Sequence, residues 1–211
     1  MSKIYLEILD KNRQKIFKSL SQFRDFGYLG GGTALALQIL HRESFDFDIF
    51  VSKPIDNNLR VKVKNIFADI RVDVDTQDQM TFRTTSQVSI TFLWYYFDNL
   101  YPLVKTESLS LASFWDIIAD KAYTIGRRAV WRDYVDMYFV IKKQFVHLSK
   151  IISLAKKKFK GNFNESLFLE QLVYFKDLEV VPIEFINEKP TAAEIKKLLE
   201  DQVKNYIRKN F

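Results

Sequence analysis

Apolar and polar positions along this chain change their period near Ser108, dividing it into a strand-rich front and a helical back. From Ile4 to Phe23 apolar and basic residues recur at helical spacing and predict an opening helix. Tyr28-Leu29 predicts a short strand that runs into Gly30-Gly31-Gly32, and the Ala/Leu-rich segment Ala34–Leu40 predicts a short helix directly after. The run Phe45–Val51 then alternates with period two over its first five residues. As a strand it turns Phe45, Phe47 and Ile49 to a core and Asp46 and Asp48 to the opposite face. Pro54 stops it. Leu59–Phe67 reads as a helix with Leu59, Val63, Ile66 and Phe67 on one side. Arg71–Asp75, Met80–Thr85 and Val88–Tyr96 read as strands, the last rich in β-branched and aromatic residues.

Behind Ser108 the period becomes helical. Leu111–Ile125 and Trp131–Lys143 predict two helices, and the chain from Leu148 onward is helical apart from a loop around Val180 to Pro190. Thr191-x-x-Glu194 has the capping-box spacing and opens a last helix ending near Arg208. These patterns predict an α+β protein, with a strand-rich part over residues 1–108 and a helical part over 109–211.

Composition narrows the class. A chain of 211 residues with 47% hydrophobic and 15% aromatic content folds, and no apolar run is long enough to cross a bilayer. The N-terminal run MSKIYLEILDKNRQ is too charged for a signal peptide, so a cytoplasmic location is expected. With no cysteine and only His41 and His147, thiolate and histidine metal clusters are excluded, which leaves carboxylates as metal ligands. The net charge of +6 suits a polyanionic partner such as nucleic acid. Its basic residues cluster at Arg127, Arg128 and Arg132, where Arg128 is a candidate phosphate ligand, and at Lys150, Lys156, Lys157, Lys158 and Lys160, which read as a solvated helix face.

Two features carry candidate chemistry. The glycines stand at a helix N-terminus, where unpaired N–H groups of Gly31, Gly32 and Thr33 favour a phosphate and the Thr33 hydroxyl adds a donor. Asp46 follows Thr33 by thirteen residues, and Asp46 and Asp48 repel each other unless a cation lies between them. Hard oxygen ligands of this kind suit Mg2+, which takes its remaining ligands from water and substrate phosphates. Ser44 either touches phosphate or terminates the turn. Arg42 is expected to pair with a carboxylate near the site, and His41 to compensate the helix dipole.

The string GGGTALALQILHRESFDFDIF resembles the first motif of the AbiEii/AbiGii-type toxins, a group within the polymerase-β-like nucleotidyltransferase superfamily. A second block, SLASFWDIIADKA followed by Arg127-Arg128 and Trp131-Arg132-Asp133-Tyr134-Val135-Asp136-Met137-Tyr138, resembles that family's helical lysine and its R/K-D-x-x-D-apolar-Y helix. The resemblance spans about Tyr28 to Val140. It implies a nucleotidyltransferase core lobe over 1–108, a mixed sheet flanked by helices, followed by a helical lobe over 109–211 that completes the active-site cleft, with NTP as substrate and Mg2+ held by Asp46 and Asp48. Gly31, Gly32 and Thr33 would cradle the β- and γ-phosphates and Lys121 would neutralise phosphate charge.

The superfamily usually carries a third carboxylate on a later strand. The matching strand here, Val88–Trp94, offers Ser89 and Thr91 instead, and Asp133 is the candidate base in its place. Asp136 would cap or pair with an arginine such as Arg128. The family further implies transfer to a tRNA 3′ end by a toxin with a cognate antitoxin. An aminoglycoside-type acceptor, or a nucleotide- or RNA-binding module without catalysis, remains open.

Overall fold

The opening segment is broken where the sequence pattern predicts one helix, because Asp10 caps a new start. Its carboxylate accepts from the Arg13 N–H, and helix α1 runs over Lys11–Ser19 between two short 3-10 turns, Leu6–Ile8 and Leu20–Phe23. This computed structural model describes residues 3–210. Strand β1 (Gly27–Leu29), helix α2 (Gly31–Ile39), strand β2 (Phe47–Val51), helix α3 (Asn57–Ile66) and strands β3 (Arg71–Asp75), β4 (Gln79–Arg83) and β5 (Ser89–Trp94) follow. The five strands form one sheet in the order β1-β2-β5-β4-β3. β2 and β5 are parallel, and the other neighbours are antiparallel.

The sheet buries one face. Phe47, Ile49, Ile90, Phe92, Met80 and Phe82 alternate onto it and are almost fully buried, with Phe23 and Phe67 stacking beneath. Burying each such side chain is worth about 1.5–3 kcal/mol, so strand register is set by this face. Asp73 and Asp75 lie on the edge strand β3, where Asp73 meets Arg83 and Arg71, and Asp75 meets Arg60. Both are therefore paired edge charges of the hairpin.

The predicted helix start at Leu111 moves to Phe114. Residues 110–112 are extended against β1: the Leu29 N–H donates to the Ser110 carbonyl and the Ala112 N–H to the Leu29 carbonyl, both at 2.8 Å. The chain divides at this point into two compact units, Met1–Ser113 and Phe114–Phe211.

The second unit is helical: α4 (Phe114–Ile125), α5 (Trp131–Lys142), α6 (Leu148–Phe159), α7 (Glu165–Val173) and α8 (Ala192–Asn210). The capping box at Thr191 forms as its spacing predicts. The Glu194 N–H donates to the Thr191 hydroxyl oxygen, and the Thr191 N–H to Glu194 Oε2 at 2.7 Å. No helix among the described residues is long and apolar enough to cross a membrane.

Candidate active site

In the first unit the glycine turn lies directly on β2. Gly30 donates its N–H to the Asp48 carbonyl at 2.9 Å, which ties the start of α2 to β2. Gly31 has φ +64°, a conformation that disfavours any side chain, and a Cβ added there would stand 2.6 Å from Asp48 Oδ2. The backbone and the carboxylate can approach this closely only because residue 31 is glycine. A Cβ at Gly32 would meet Arg42 Nη2 at 2.6 Å and Ser44 Oγ at 3.7 Å. Two glycines therefore leave a concave surface bordered by Asp48, Arg42 and Ser44.

Asp46 lies outside the strand that the sequence pattern extends back to Phe45. The Thr33 hydroxyl donates to the Asp46 carbonyl and lies 2.7 Å from Ser44 Oγ, which holds the segment against α2 instead of in the sheet. Thr33 is buried, and its hydroxyl is engaged inside the protein by these two contacts, one of them to Ser44. Phe45, expected in the core, is half-buried with Arg13 over its ring. Asp46 and Asp48 are both half-buried. Among the described residues no three His, Cys, Asp or Glu side chains gather to hold a metal. A cation held by Asp46 and Asp48 would have two carboxylates at most and would complete its shell with water or phosphate, as Mg2+ does.

The sheet also places a row of neutral polar groups beside Asp48. In the parallel register Asp48 is partnered by Thr91, and Thr91 by Thr81 on β4. The Thr81 and Thr91 hydroxyls are 3.1 Å apart, and Gln79 Nε2 donates to Thr81 Oγ1 at 2.8 Å. Period-two alternation was the available sequence signal for this row, but the register between strands was not.

In the second unit Lys121, expected at the rim of an apolar face, is buried. Its Nζ lies 2.5 Å from Asp133 Oδ1 and 2.6 Å from Asp136 Oδ2. The two aspartates share a face of α5, as their spacing requires, and Asp136 takes Lys121 as partner instead of Arg128. The exposed Arg128 places Nη2 3.6 Å from Asp133 Oδ2, beyond hydrogen-bond reach, and Asp133 Oδ2 accepts no hydrogen bond among the described residues. Next to it, burial and the Asp133 charge push the Tyr134 hydroxyl up to about 12, and it donates to the Gln171 carbonyl.

A second ion cluster was missed. Lys158, read as part of a solvated basic run, has a fully buried side chain whose Nζ lies 3.1 Å from Asp116 Oδ1 and 2.6 Å from Asp120 Oδ1. The signal was the pair Asp116 and Asp120, one helical turn apart among apolar residues on α4, which needs an internal cation.

The chain is 30% identical over 202 residues to the uncharacterized protein aq_aa25 of Aquifex aeolicus (strain VF5), an alignment covering 90% of this chain and 91% of that one. The two belong to one family. No family model matches the chain. Among solved structures, the fold is similar to that of MenT4, a nucleotidyltransferase toxin of Mycobacterium tuberculosis H37Rv, with TM-score 0.66 and 14% identity over 96% of this chain and 84% of that one. It is also similar to an H. pylori protein assigned to the nucleotidyltransferases, with TM-score 0.59 and 21% identity over 96% of this chain and 100% of that one. The architecture is accordingly the nucleotidyltransferase fold, a mixed sheet with flanking helices followed by a helical region.

Proposed function

We propose that the protein is a Mg2+-dependent nucleotidyltransferase that moves NMP from an NTP to an acceptor hydroxyl, with a tRNA 3′ end as acceptor. The observation that carries this reading is the contact of Gly31 with Asp48, which puts the start of a helix and a metal-type carboxylate at one place on a nucleotidyltransferase fold. The backbone N–H groups of Gly31, Gly32 and Thr33 bind the β- and γ-phosphates, and Arg42 borders the same surface. Asp46 and Asp48 hold Mg2+, which when bound supplies charge neutralisation for the attacking and leaving oxygens. Asp133 of the helical unit is the candidate base, and its Oδ2, buried and without a hydrogen bond of its own, has to be uncovered before it can take a proton. Lys121 fixes Oδ1 of that carboxylate and reaches phosphate only by exchanging these ion pairs. Arg128 contributes charge beside it.

A toxin role paired with a cognate antitoxin is supported by the likeness to MenT4, and a cytoplasmic site of action follows from the substrates. The net charge supports a polyanionic acceptor. Of +6 in total, +5 lies in Phe114–Phe211, with 18 Lys and Arg against 13 Asp and Glu. Because four of those acids are tied to the buried Lys121 and Lys158, the surface of this unit is more basic still.

The test is pyrophosphate release with each NTP, Mg2+ and total tRNA, followed by end-labelling of the RNA. Release that needs tRNA and Mg2+ and disappears in Asp48→Ala supports the reading. Release with aminoglycosides and not with tRNA moves the acceptor. NTP binding without release under all acceptors favours a binding module, a reading that the internally paired Lys121 and Asp133 also support.

A further inference from the structure

Between Lys121 and Asn164 the chain carries eleven Lys and Arg against two Asp. The two acids, Asp133 and Asp136, are buried with Lys121, so the basic excess of this stretch faces solvent. Part of it gathers where the ends of α4 and α6 meet. There the Tyr123 ring stacks on the Phe159 ring, with centroids 4.0 Å apart. Arg127, exposed just past α4, lies over Tyr123 at 3.6 Å from the ring centre and donates Nη2 to the Asn162 carbonyl at 2.7 Å. That bond ties it to the 3-10 turn Lys160–Asn162 that closes α6. Lys157 and Lys160 are exposed on α6 and this turn, and neither pairs with an acid among the described residues. Helix ends account for only part of this charge. Lys157 stands in the last turn of α6 and compensates its dipole. Arg132 does the reverse, because a cation in the first turn of α5 opposes the dipole, and Arg132 too pairs with no acid among the described residues. Arg127 is positioned by a ring and a carbonyl, not by a carboxylate. Cations that serve neither a helix end nor an ion pair, in a stretch with no exposed acid, suit a polyanion.

We propose that Arg127, Arg132, Lys157 and Lys160 form a docking surface for the unpaired end of an RNA. The Arg127 guanidinium favours RNA over other polyanions. Pinned over Tyr123, it presents a pre-positioned plane at the surface, on which an unstacked base can lie while the neighbouring lysines meet phosphates. A layer of lipid headgroups has no use for such a plane. Arg128 carries the charge on toward the candidate base, with Nη2 3.6 Å from Asp133 Oδ2. An RNA end held here therefore lies beside Asp133. The inference rests on the transferase reading for the identity of the acceptor and adds where the acceptor is held.

Fluorescence anisotropy of the full chain with a fluorescein-labelled tRNA, in EDTA and without NTP, reads docking apart from chemistry. Wild type should bind with an affinity that falls steeply as salt rises. Lys157→Gln with Lys160→Gln should lower the slope of log K against log salt by about 2. Lys197→Gln with Lys209→Gln makes the same charge change at exposed positions of α8 and should leave that slope in place. Arg127→Lys keeps the charge and loses the plane, and should weaken binding about tenfold with the salt slope held. A tRNA trimmed of its unpaired 3′ end should bind more weakly than the intact one. Equal losses in the two lysine pairs overturn the proposal, as does an Arg127→Lys variant that binds like wild type. Trimmed tRNA that binds as well as intact tRNA also overturns it. So does retention on vesicles of equal parts phosphatidylserine and phosphatidylcholine with no binding of tRNA. Should Arg127→Lys fail to fold, the lysine pairs still decide. Docking that follows this pattern with no transfer to the bound tRNA sinks the transferase reading and leaves the surface standing. Transfer whose KM for tRNA is untouched in the Lys157/Lys160 variant does the reverse.

Discussion

The carboxylates of the sheet and those of the helices meet the same electrostatic problem in opposite ways. Asp46 and Asp48 stand half-exposed at the glycine turn of the first unit, and among the described residues no third acid or histidine gathers with them into a ligand cluster. Asp116, Asp120, Asp133 and Asp136 of the second unit are held by Lys158 and Lys121, inside the protein. A buried charge is tolerated only with a partner in place. The helical acids therefore come with built-in cations, whereas Asp46 and Asp48 stand where water still reaches them, beside the glycine turn. The difference separates carboxylates that organise the fold from carboxylates that border a solvent-facing turn, and Asp133 belongs to the first class, with Lys121 on Oδ1 and the Arg128 charge beside the buried Oδ2.

The largest expected effect breaks the comparison on its functional side. Asp46→Ala or Asp48→Ala should lower nucleotide transfer by roughly 10³-fold or more, while the melting temperature holds or rises as like-charge repulsion is relieved. Unchanged turnover in the double variant would remove both residues from the metal site.

On the helical side the effect should fall on stability. Lys121→Met and Lys158→Met each leave two carboxylates buried without their cation, at a cost of about 3–5 kcal/mol, read as a shift of the urea midpoint. The paired variants that also neutralise the carboxylates, such as Lys158→Met with Asp116→Asn and Asp120→Asn, should recover most of it. If Lys158→Met unfolds no more easily than wild type, the distinction drawn between the two regions is wrong.

The glycines sharpen the sheet side. Gly31→Ala should cost about 1–2 kcal/mol through its left-handed backbone, and it should also weaken NTP binding per folded molecule, since its Cβ collides with Asp48. Gly32→Ala brings its Cβ against the end of the Arg42 side chain but has no left-handed backbone to strain, and should be milder in stability. Equal effects at the two positions would show that Asp48 yields easily.

The smallest effect is a control far from either set of acids. Thr191→Ala removes the cap of α8 and should cost about 1 kcal/mol with transfer unchanged.

Much of this arrangement was legible from local pattern. Period-two alternation gave the buried face of β2 and the polarity of Asp48, the glycine run marked the start of α2, and the Thr191/Glu194 spacing marked the start of α8. The division into a sheet-bearing front and a helical back was likewise present in the change of period. Each of these depends on residues within a turn or two of one another, and covalent geometry alone relates them. The tertiary structure decided everything that needed two distant segments in register. It took Asp46 out of the strand by bonding its carbonyl to Thr33, and it drew Ser110–Ala112 out of the predicted helix by pairing them with Leu29. It put Thr91 next to Asp48, and it buried Lys158 from a run of lysines that look alike in sequence. Lys156 and Lys157 are exposed one and two residues away, so the fate of Lys158 was set by which helix face met Asp116 and Asp120, a packing choice that charge and spacing on α6 alone do not contain.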